Sequence, residues 1–466
     1  MFIEIVPEQV ENLGAEEQRM LQKLLDVYNA HASKNTDKEK YYEGHIALGS
    51  VNLGIALPEG MRGLEIGCSW GAKCVDVLAA RSMFDGYVGL NGAENALMAE
   101  IVENNRLVAE YIKACRDELK YGCTFATLSA DPALKCKIRF HSPQTAAAVW
   151  NGDKGRIDYG FAVIDTVPAN EDNALWEPSL INLYTERAIW VLERDDYSAW
   201  HATPHAHKMR RPLMEAMVWN ATSNKPFGRS RIKEPIRRLI DGYVRTIANA
   251  TIGLEFSTAP QKYLLGVTDE QYDAVVNNKF KQYVGNILAS TVNPETGEKP
   301  SYGQLPQGNI SPHVEMIRIL ATQFSAATGL TVTDTGVVSE ANPTSADAVI
   351  AQSQTLILMA EELNVGNGDA LKTIAHMALA IAKNTTLDGL TDDDMAIMAH
   401  FKNPAMPSVS AMADAALKIA SVRQGFANTD VFAEMNGFDP ADIRRINAQE
   451  SRARGLDLVA ELESTE

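Results

Sequence analysis

The sequence predicts a mainly helical α+β chain, and three observations carry that reading. Apolar residues recur at three- and four-residue steps over several long stretches. Short β-type runs gather between about residues 85 and 200 and again in a turn-rich stretch at 255 to 310. Composition is close to a globular average, with 45% hydrophobic and 22% charged residues, and 466 residues suffice for about three structural units.

Met20, Leu21, Leu24, Leu25 and Tyr28 set the first helix between Gly14 and about Ala32, which the polar run Ser33–Asp37 is expected to interrupt. Gly49, Gly54, Pro58, Gly60 and Gly63 read as turns, and a helix follows from Ala72 to Ser82. GYVGL, TFATLSA, AAVWN, YGFAVIDT and AIWVLER read as strands around one long helix at Ala93–Leu119, a sizeable α+β unit. Ile232, Ile236, Leu239, Ile240, Tyr243, Val244 and Ile247 then form one apolar face of a long helix, with Pro235 in its first turn. Residues 255 to 310 read as a small β-rich lobe: an extended EFSTAPQKYLLGV, a brief helix opened by Thr268, an extended ILASTVN, the turn NPETGEKP and an extended SYGQLPQ.

The next helix has Ser311 as N-cap, Pro312 in first position, and Ile317, Leu320, Phe324 and Ala327 on one face; Gly329 ends it. The polar stretch TVTDTGVVSEANPT reads as a flexible loop before a helix that starts near Ser345 and runs through Val349, Ile350, Leu356, Ile357 and Leu363. Gly366 and Gly368 are expected to break it before another helix at Asp369–Lys383. The acidic turn Thr391–Asp394, an extended MAIMAHFK, and short helices near 408–424, 428–436 and 439–456 complete the chain.

Charge bounds the function. Forty-three Lys and Arg against 60 Asp and Glu give −17, which argues against a surface that wraps nucleic acid. One segment reverses the sign: Lys208, Arg210, Arg211, Lys225, Arg229, Arg231, Lys233, Arg237, Arg238 and Arg245 face only Glu215, Glu234 and Asp241. Lys233, Arg237, Asp241 and Arg245 step by four, a stripe open to two readings, a solvated salt-bridged face or a DNA contact. From Leu387 to Glu466 fourteen acids outnumber seven Lys and Arg, so this end repels phosphates.

Chemistry-bearing motifs are sparse. Cys68, Cys74, Cys115, Cys123 and Cys136 are odd in number and without CxxC spacing, hence expected as reduced, buried thiols. The start MFIEIVPEQVENLG has acids where a signal peptide needs a basic region, and no apolar stretch approaches the ~18 residues of a membrane span, so cytoplasmic synthesis and use are expected. LEIGCSWG at Leu64–Gly71 resembles motif I of S-adenosylmethionine methyltransferases, but Asn91 stands where the ribose acid belongs and Trp70 is bulky where a small residue is wanted. A tight turn before a wall helix is the alternative. HATPHAH sets His205 and His207 two apart beside His201, without a nearby acid or cysteine to complete a metal shell. GxxxxGK[ST] is absent, so any ATPase in the process is another chain, and no metal, cofactor or catalytic residue is expected.

FGRSRIKEPIRRLIDGYVRTIANATIGLEFSTAPQKYLLG at Phe227–Gly266 resembles the portal (head-to-tail connector) proteins of tailed double-stranded DNA bacteriophages, siphophage branch. PSYGQLPQGNISPHVEMIRILATQFSAATGL and NPTSADAVIAQSQTLILMAEELN resemble the same family's second stem helix, tunnel loop and wing helix. GFDPADIRRINAQESRARG resembles its C-terminal helix, and YYEGHIALG with SWGAKCVDVLAARS its N-terminal wing, so residues 40–82 and 190–455 are covered in order.

The resemblance implies a portal fold assembled as a ring, usually of twelve copies, at one capsid vertex, through which the genome is packaged, retained and ejected. It divides the chain into a wing (1–228), stem helix 1 (229–256), clip (257–310), stem helix 2 (311–329), tunnel loop (330–345), a second wing part (346–403) and a helical crown (404–466). It assigns Thr331, Thr333, Asp334, Thr335, Gly336, Ser339, Glu340 and Asn342 to the DNA channel, and Arg231, Lys233, Arg237, Arg238 and Arg245 to basic rings or intersubunit pairs of the stem. Lys262, Tyr263, Asn293, Glu295, Glu298 and Lys299 fall to clip docking. The implied partners are double-stranded DNA, the large terminase ATPase, a head-tail adaptor, and the major capsid and scaffolding proteins. No membrane is implied, and the implied location is the virion's portal vertex, after assembly in the host cytoplasm.

Overall fold

A computed structural model describes residues 2–3, 9–47, 65–89, 95–168, 175–195, 198–258, 262–265, 297, 301–304, 309–337, 346–405, 409–438 and 440–463. They divide into two compact units, Met1–Lys402 and Asn403–Glu466. The predicted turns at 48–63, Asn91, the helix at Thr268, ILASTVN and most of NPETGEKP lie outside the described residues.

Strands β1 (Phe2–Ile3) and β2 (Val10–Glu11) precede helix α1 (Ala15–Glu43). The polar run does not interrupt α1, because its polar side chains find tertiary and helical partners. Asn35, 3% exposed, donates to the Pro143 carbonyl at 3.3 Å, and Thr36 Oγ1 bonds back to Ala32 O at 3.1 Å. Lys38 Nζ reaches Asn35 Oδ1 at 3.1 Å and Tyr121 O at 2.9 Å. The helix ends at Gly44, whose φ of 77° is cheap only for glycine.

Two hairpin strands, β3 (His45–Ala47) and β4 (Glu65–Gly67), pair antiparallel ahead of α2 (Trp70–Ala79). Strand β5 (Phe84–Val88) leads to α3 (Ala96–Asn104) and α4 (Leu107–Tyr121). These are two helices where the periodicity predicts one; the break falls at Asn105 and Arg106, whose φ is 50°. Asn105 is used there, donating to Cys136 O at 2.8 Å and accepting from Ile138 N at 2.9 Å.

Strands β6 (Cys123–Asp131), β7 (Lys135–His141), β8 (Ala146–Asn151), β9 (Arg156–Pro168), β10 (Leu175–Tyr184), β11 (Ala188–Arg194), β12 (Trp200–Ala206) and β13 (Met214–Val218) follow. One sheet runs β2-β12-β11-β10-β9-β8, with β1 against β10, and a second runs β13-β6-β7. Leu21, Leu24, Leu25 and Tyr28 of α1 pack with Phe161, Ile181, Leu183 and Leu192 of the first sheet into one core. All five cysteines are free and buried, as expected.

Helix α5 (Glu234–Thr258) and α6 (Ser311–Thr328) flank in sequence the antiparallel pair of β14 (Lys262–Leu265) and β15 (Ser301–Gln304). Ile310, not Ser311, is the N-cap of α6, and Asn309 Oδ1 accepts from Ser311 N at 2.9 Å. Ala327 is exposed, so the buried face is Leu320, Ala321, Phe324 and Thr328.

Helix α7 (Ala346–Ala382) runs uninterrupted for 37 residues through Gly366 and Gly368. Asn367 between them is fully buried and bonded to α4, so tertiary packing overrides the cost of two glycines, about 1 kcal/mol each. Thr391 and Asp394 form a reciprocal capping box on α8 (Asp392–Met395), and Asp394, 1% exposed, also receives Lys383 Nζ at 2.6 Å. Strand β16 (Met398–Phe401) returns to pair with β5.

The second unit comprises α9 (Val409–Val422), α10 (Asp430–Met435) and α11 (Pro440–Glu463), close to the three predicted helices. Thr429 caps α10 by accepting from Phe432 N, and Asn447 Nδ2 donates to Asp430 Oδ1 at 2.9 Å.

Candidate functional site

The long helices α5 and α6 pack on each other closely enough that a Cβ on Gly242 would lie 3.2 Å from Leu320 Cδ2. Their contact is centred on Trp70 at the start of α2. Its ring, 2% exposed, lies 4.4 Å from Tyr243 of α5 and 4.8 Å from Phe324 of α6, centroid to centroid. Such pairs add about 0.5–1.5 kcal/mol each beyond area burial. The indole Nε1–H donates to Thr335 O at 3.1 Å, so the same side chain holds the loop that leaves α6.

Helix α1 fixes α5 from another side, where Tyr41 donates to Asp241 Oδ1 at 2.7 Å. Burial pushes the Asp241 carboxyl up, while the Tyr41 hydroxyl and the Arg238 and Arg237 guanidiniums pull it down. The close approach of α1 to α2 needs Gly71, since a Cβ there would sit 2.0 Å from Tyr41 O. This is the structural use of the glycine in LEIGCSWG. Strand β4 has three residues and pairs antiparallel with β3, and Trp70 opens the following helix packed against Tyr243 and Phe324. The motif builds the tight turn before a wall helix.

Arg231, expected in a basic ring or an intersubunit pair, is 5% exposed. Its Nε–H donates to Cys74 O of α2 at 2.7 Å, and its Nη2–H to Thr328 O at the end of α6, also at 2.7 Å. The cation sits at a helix C-terminus, where the backbone carbonyls favour positive charge. Arg231 therefore ties α2 to α6 inside one subunit.

The other basic candidates separate by exposure. Lys233, just before α5, and Arg238 on α5 are exposed, Arg238 with Glu234 Oε1 at 3.4 Å. Arg237 is half-buried over the Tyr41 ring at 5.7 Å, and Arg245 is half-buried. Arg211 pairs with Glu215 along β13, which further reduces the basic patch read from sequence.

In the loop after α6, Thr331, Thr333, Asp334, Thr335 and Gly336 form a defined turn. Asp334 Oδ2 accepts from Thr331 N at 2.9 Å and Thr331 Oγ1 at 2.8 Å, closing a 3-10 turn over Thr333–Thr335. Gly336 follows at φ 80°, and Val337 packs on the core. This half of the predicted flexible loop is anchored. Ser339, Glu340 and Asn342 lie outside the described residues. Lys262 and Tyr263 stand in β14, paired with Gln304 and Gly303. Asn293, Glu295, Glu298 and Lys299 lie outside the described residues.

HATPHAH is mostly strand β12. His201 meets Glu11 through Nδ1 and Asp195 through Nε2, each at 3.2 Å, so the two acids sit at opposite ring nitrogens and do not converge on one point. Among the described residues no cluster of His, Cys, Asp or Glu has the arrangement of a metal site, and no helix is long and apolar enough to cross a membrane.

The family profile described as "Phage portal protein, SPP1 Gp6-like" matches residues 21–453. The chain belongs to the SPP1 Gp6-like phage portal family. The match includes the sheet region 85–190, which the sequence resemblance left uncovered. Among solved structures this portal chain is similar to one in the neck of an empty GTA particle computed with C6 symmetry. There the TM-score is 0.46 and the identity 10%, over 80% of this chain and 90% of that chain. It is also similar to one in the neck of the native GTA particle computed with C12 symmetry, with TM-score 0.43, 10% identity and the same two coverages. No curated protein matches.

Proposed function

We propose that this portal subunit assembles with eleven further copies into a ring at one capsid vertex, and that the ring is the channel for genome packaging, retention and ejection. The observation that carries the reading is the family match over nearly the whole chain together with its central feature, two long helices clamped at one end by Trp70, Tyr41 and Arg231. In this reading 229–256 and 311–329 are the stem, 257–310 the clip, 330–345 the tunnel loop, 1–228 and 346–403 the wing, and 404–466 the crown.

Thr331–Gly336 then serve as the anchor of the tunnel loop, and Ser339, Glu340 and Asn342 are the residues assigned to DNA contact. Net acidity suits a channel, because about six to ten well-placed cations on the phosphates would hold DNA too tightly to slide. Lys233, Arg238 and Arg245 supply isolated charges or pairs across a rotational interface. The clip docks the large terminase ATPase during filling and a head-tail adaptor afterwards, while the wing meets the major capsid and scaffolding proteins. The protein supplies the conduit and not catalysis, at the virion's portal vertex after assembly in the host cytoplasm.

The test is packaging into procapsids assembled with and without this chain. Nuclease-protected genome-length DNA should appear only with it. Equal protection in its absence would contradict the proposal.

A further inference from the structure

Where α4 crosses α7, Ser82, Tyr111, Cys115, Glu118 and Asn367 are sealed from solvent. Their hydrogen bonds have a single direction. Asn367 Nδ2 donates one proton to Tyr111 OH at 3.0 Å, Tyr111 can donate to Ser82 Oγ at 2.6 Å, and Ser82 donates to Asn364 Oδ1 at 2.6 Å. The second Asn367 Nδ2 proton goes to Glu118 Oε2 at 2.8 Å. All amide protons of Asn367 are then used, and two buried oxygens stay without a partner among the described residues: Glu118 Oε1 and Asn367 Oδ1. Two orphaned acceptors, each the twin of an atom in the same hydrogen bond, lack one proton between them.

We propose that Glu118 is kept protonated in the folded subunit and forms with Asn367 a reciprocal acid–amide pair, a proton-operated pin that holds the long helix α7 to α4. Glu118 Oε1–H donates to Asn367 Oδ1 while Asn367 Nδ2–H donates to Glu118 Oε2, so every buried polar atom of the pair is satisfied.

Among the described residues, no cation faces an ionised Glu118. On α4 itself, Lys120 pairs with Glu39 at 3.0 Å and Asp117 at 3.5 Å, and Arg116 with Asp76 of α2 at 3.4 Å. Lys38 of α1 is bonded to Asn35 and the Tyr121 carbonyl. The titratable neighbours Tyr111 and Cys115 of α4 and Cys123 of β6 are themselves pushed up by burial and stay neutral. Burial likewise pushes the Glu118 carboxyl up to about 8, against a smaller opposing effect of the Asn367 bond.

The pin acts at the weakest turn of α7, because Gly366 and Gly368 flank Asn367 and contribute no side-chain hold of their own. Loss of the proton to solvent removes one hydrogen bond and leaves a buried carboxylate opposite an amide oxygen. Since the folded-state value lies above the unfolded one, the stabilisation is complete below about 4.5, is lost progressively as pH rises from there, and is gone above about 8.

The test uses the full chain labelled with ¹³C-glutamate. At about pH 6, where ordinary glutamates are ionised, infrared spectra should show one isotope-shifted band of a protonated carboxyl that disappears by about pH 10 and is missing in Glu118→Gln. Glutamine keeps both bonds of the pair, so Glu118→Gln should retain its folding equilibrium constant where the parent loses about tenfold per pH unit below its folded-state value. Absence of a protonated glutamate in the parent at about pH 6, or parallel pH profiles of parent and variant, overturns the proposal. The parent spectrum decides alone if the variant does not fold.

Discussion

Replacing Arg231 by methionine keeps most of the side-chain volume and deletes the cation that joins α2 to α6. Thr328 is the last residue of α6, so its carbonyl is one of those a helix leaves without an internal partner. Cys74 lies within α2, where the helical ladder supplies a second donor to its carbonyl. A bond from a charged donor contributes about 1.5–3 kcal/mol. Counting the Thr328 bond in full and the Cys74 bond at about 0.5–1 kcal/mol gives a loss of roughly 2–4 kcal/mol, with relief of the buried cation favouring the lower end. That is about 30- to 1000-fold in the folding equilibrium. The assay is urea unfolding at fixed protomer concentration, since assembly shifts apparent stability by mass action. The exposed Arg238→Met control should stay within about 0.5 kcal/mol of the parent. An Arg231→Met protein equally close to the parent would refute the internal tie and return Arg231 to the DNA or intersubunit role.

Gly71→Ala should destabilise by about 1–3 kcal/mol or displace α1 from α2, because its new Cβ meets backbone and not a yielding side chain; an unchanged melting temperature would contradict this. Asp334→Ala should cost about 1 kcal/mol through loss of the turn's two acceptor bonds, whereas Asp334→Asn, which can still accept them, should change stability and packaging little. Equal effects of the two variants would show that charge, not capping, is what Asp334 supplies. His141, bonded through Nε2 to Thr127 Oγ1 at 3.0 Å, is lowered to about 4 by burial and, less, by Arg139. The unfolded chain therefore takes up a proton first, and stability should fall between about pH 6.5 and 4, by on the order of 3 kcal/mol. His141→Gln should flatten that acid limb in pH-dependent unfolding, and an identical limb would remove His141 as its source.

Helices whose apolar stripes face one core were legible from spacing alone, as α5 shows with Ile236, Ile240 and Val244 buried on one side. Polarity and glycine were weaker guides, because tertiary partners decide their effect: Asn35 is held by Pro143, and Asn367 by Tyr111 and Glu118. Strands β10 and β12 escaped notice for a local reason, since each contains a proline. Pro178 stands at the register shift against β9. Pro204 lies beyond the two residues of β12 that β2 pairs, where no donor is needed on the open side. At the site, the sequence marked Arg231 as basic but gave no sign of its burial, because residues 231–245 carry exposed and enclosed cations at similar spacing. Trp70 was visible as an oversized residue in a glycine turn, yet its partners Tyr243 and Phe324 come from helices far along the chain.

Cryo-electron microscopy of the purified full chain tests the portal-ring account most directly. The account predicts rings of twelve subunits around an open axis, with α5 and α6 lining or bracing the channel and residues 338–345 directed toward it. Monomers or closed dimers without an axial channel, or rings with that segment on the outer rim, would contradict it.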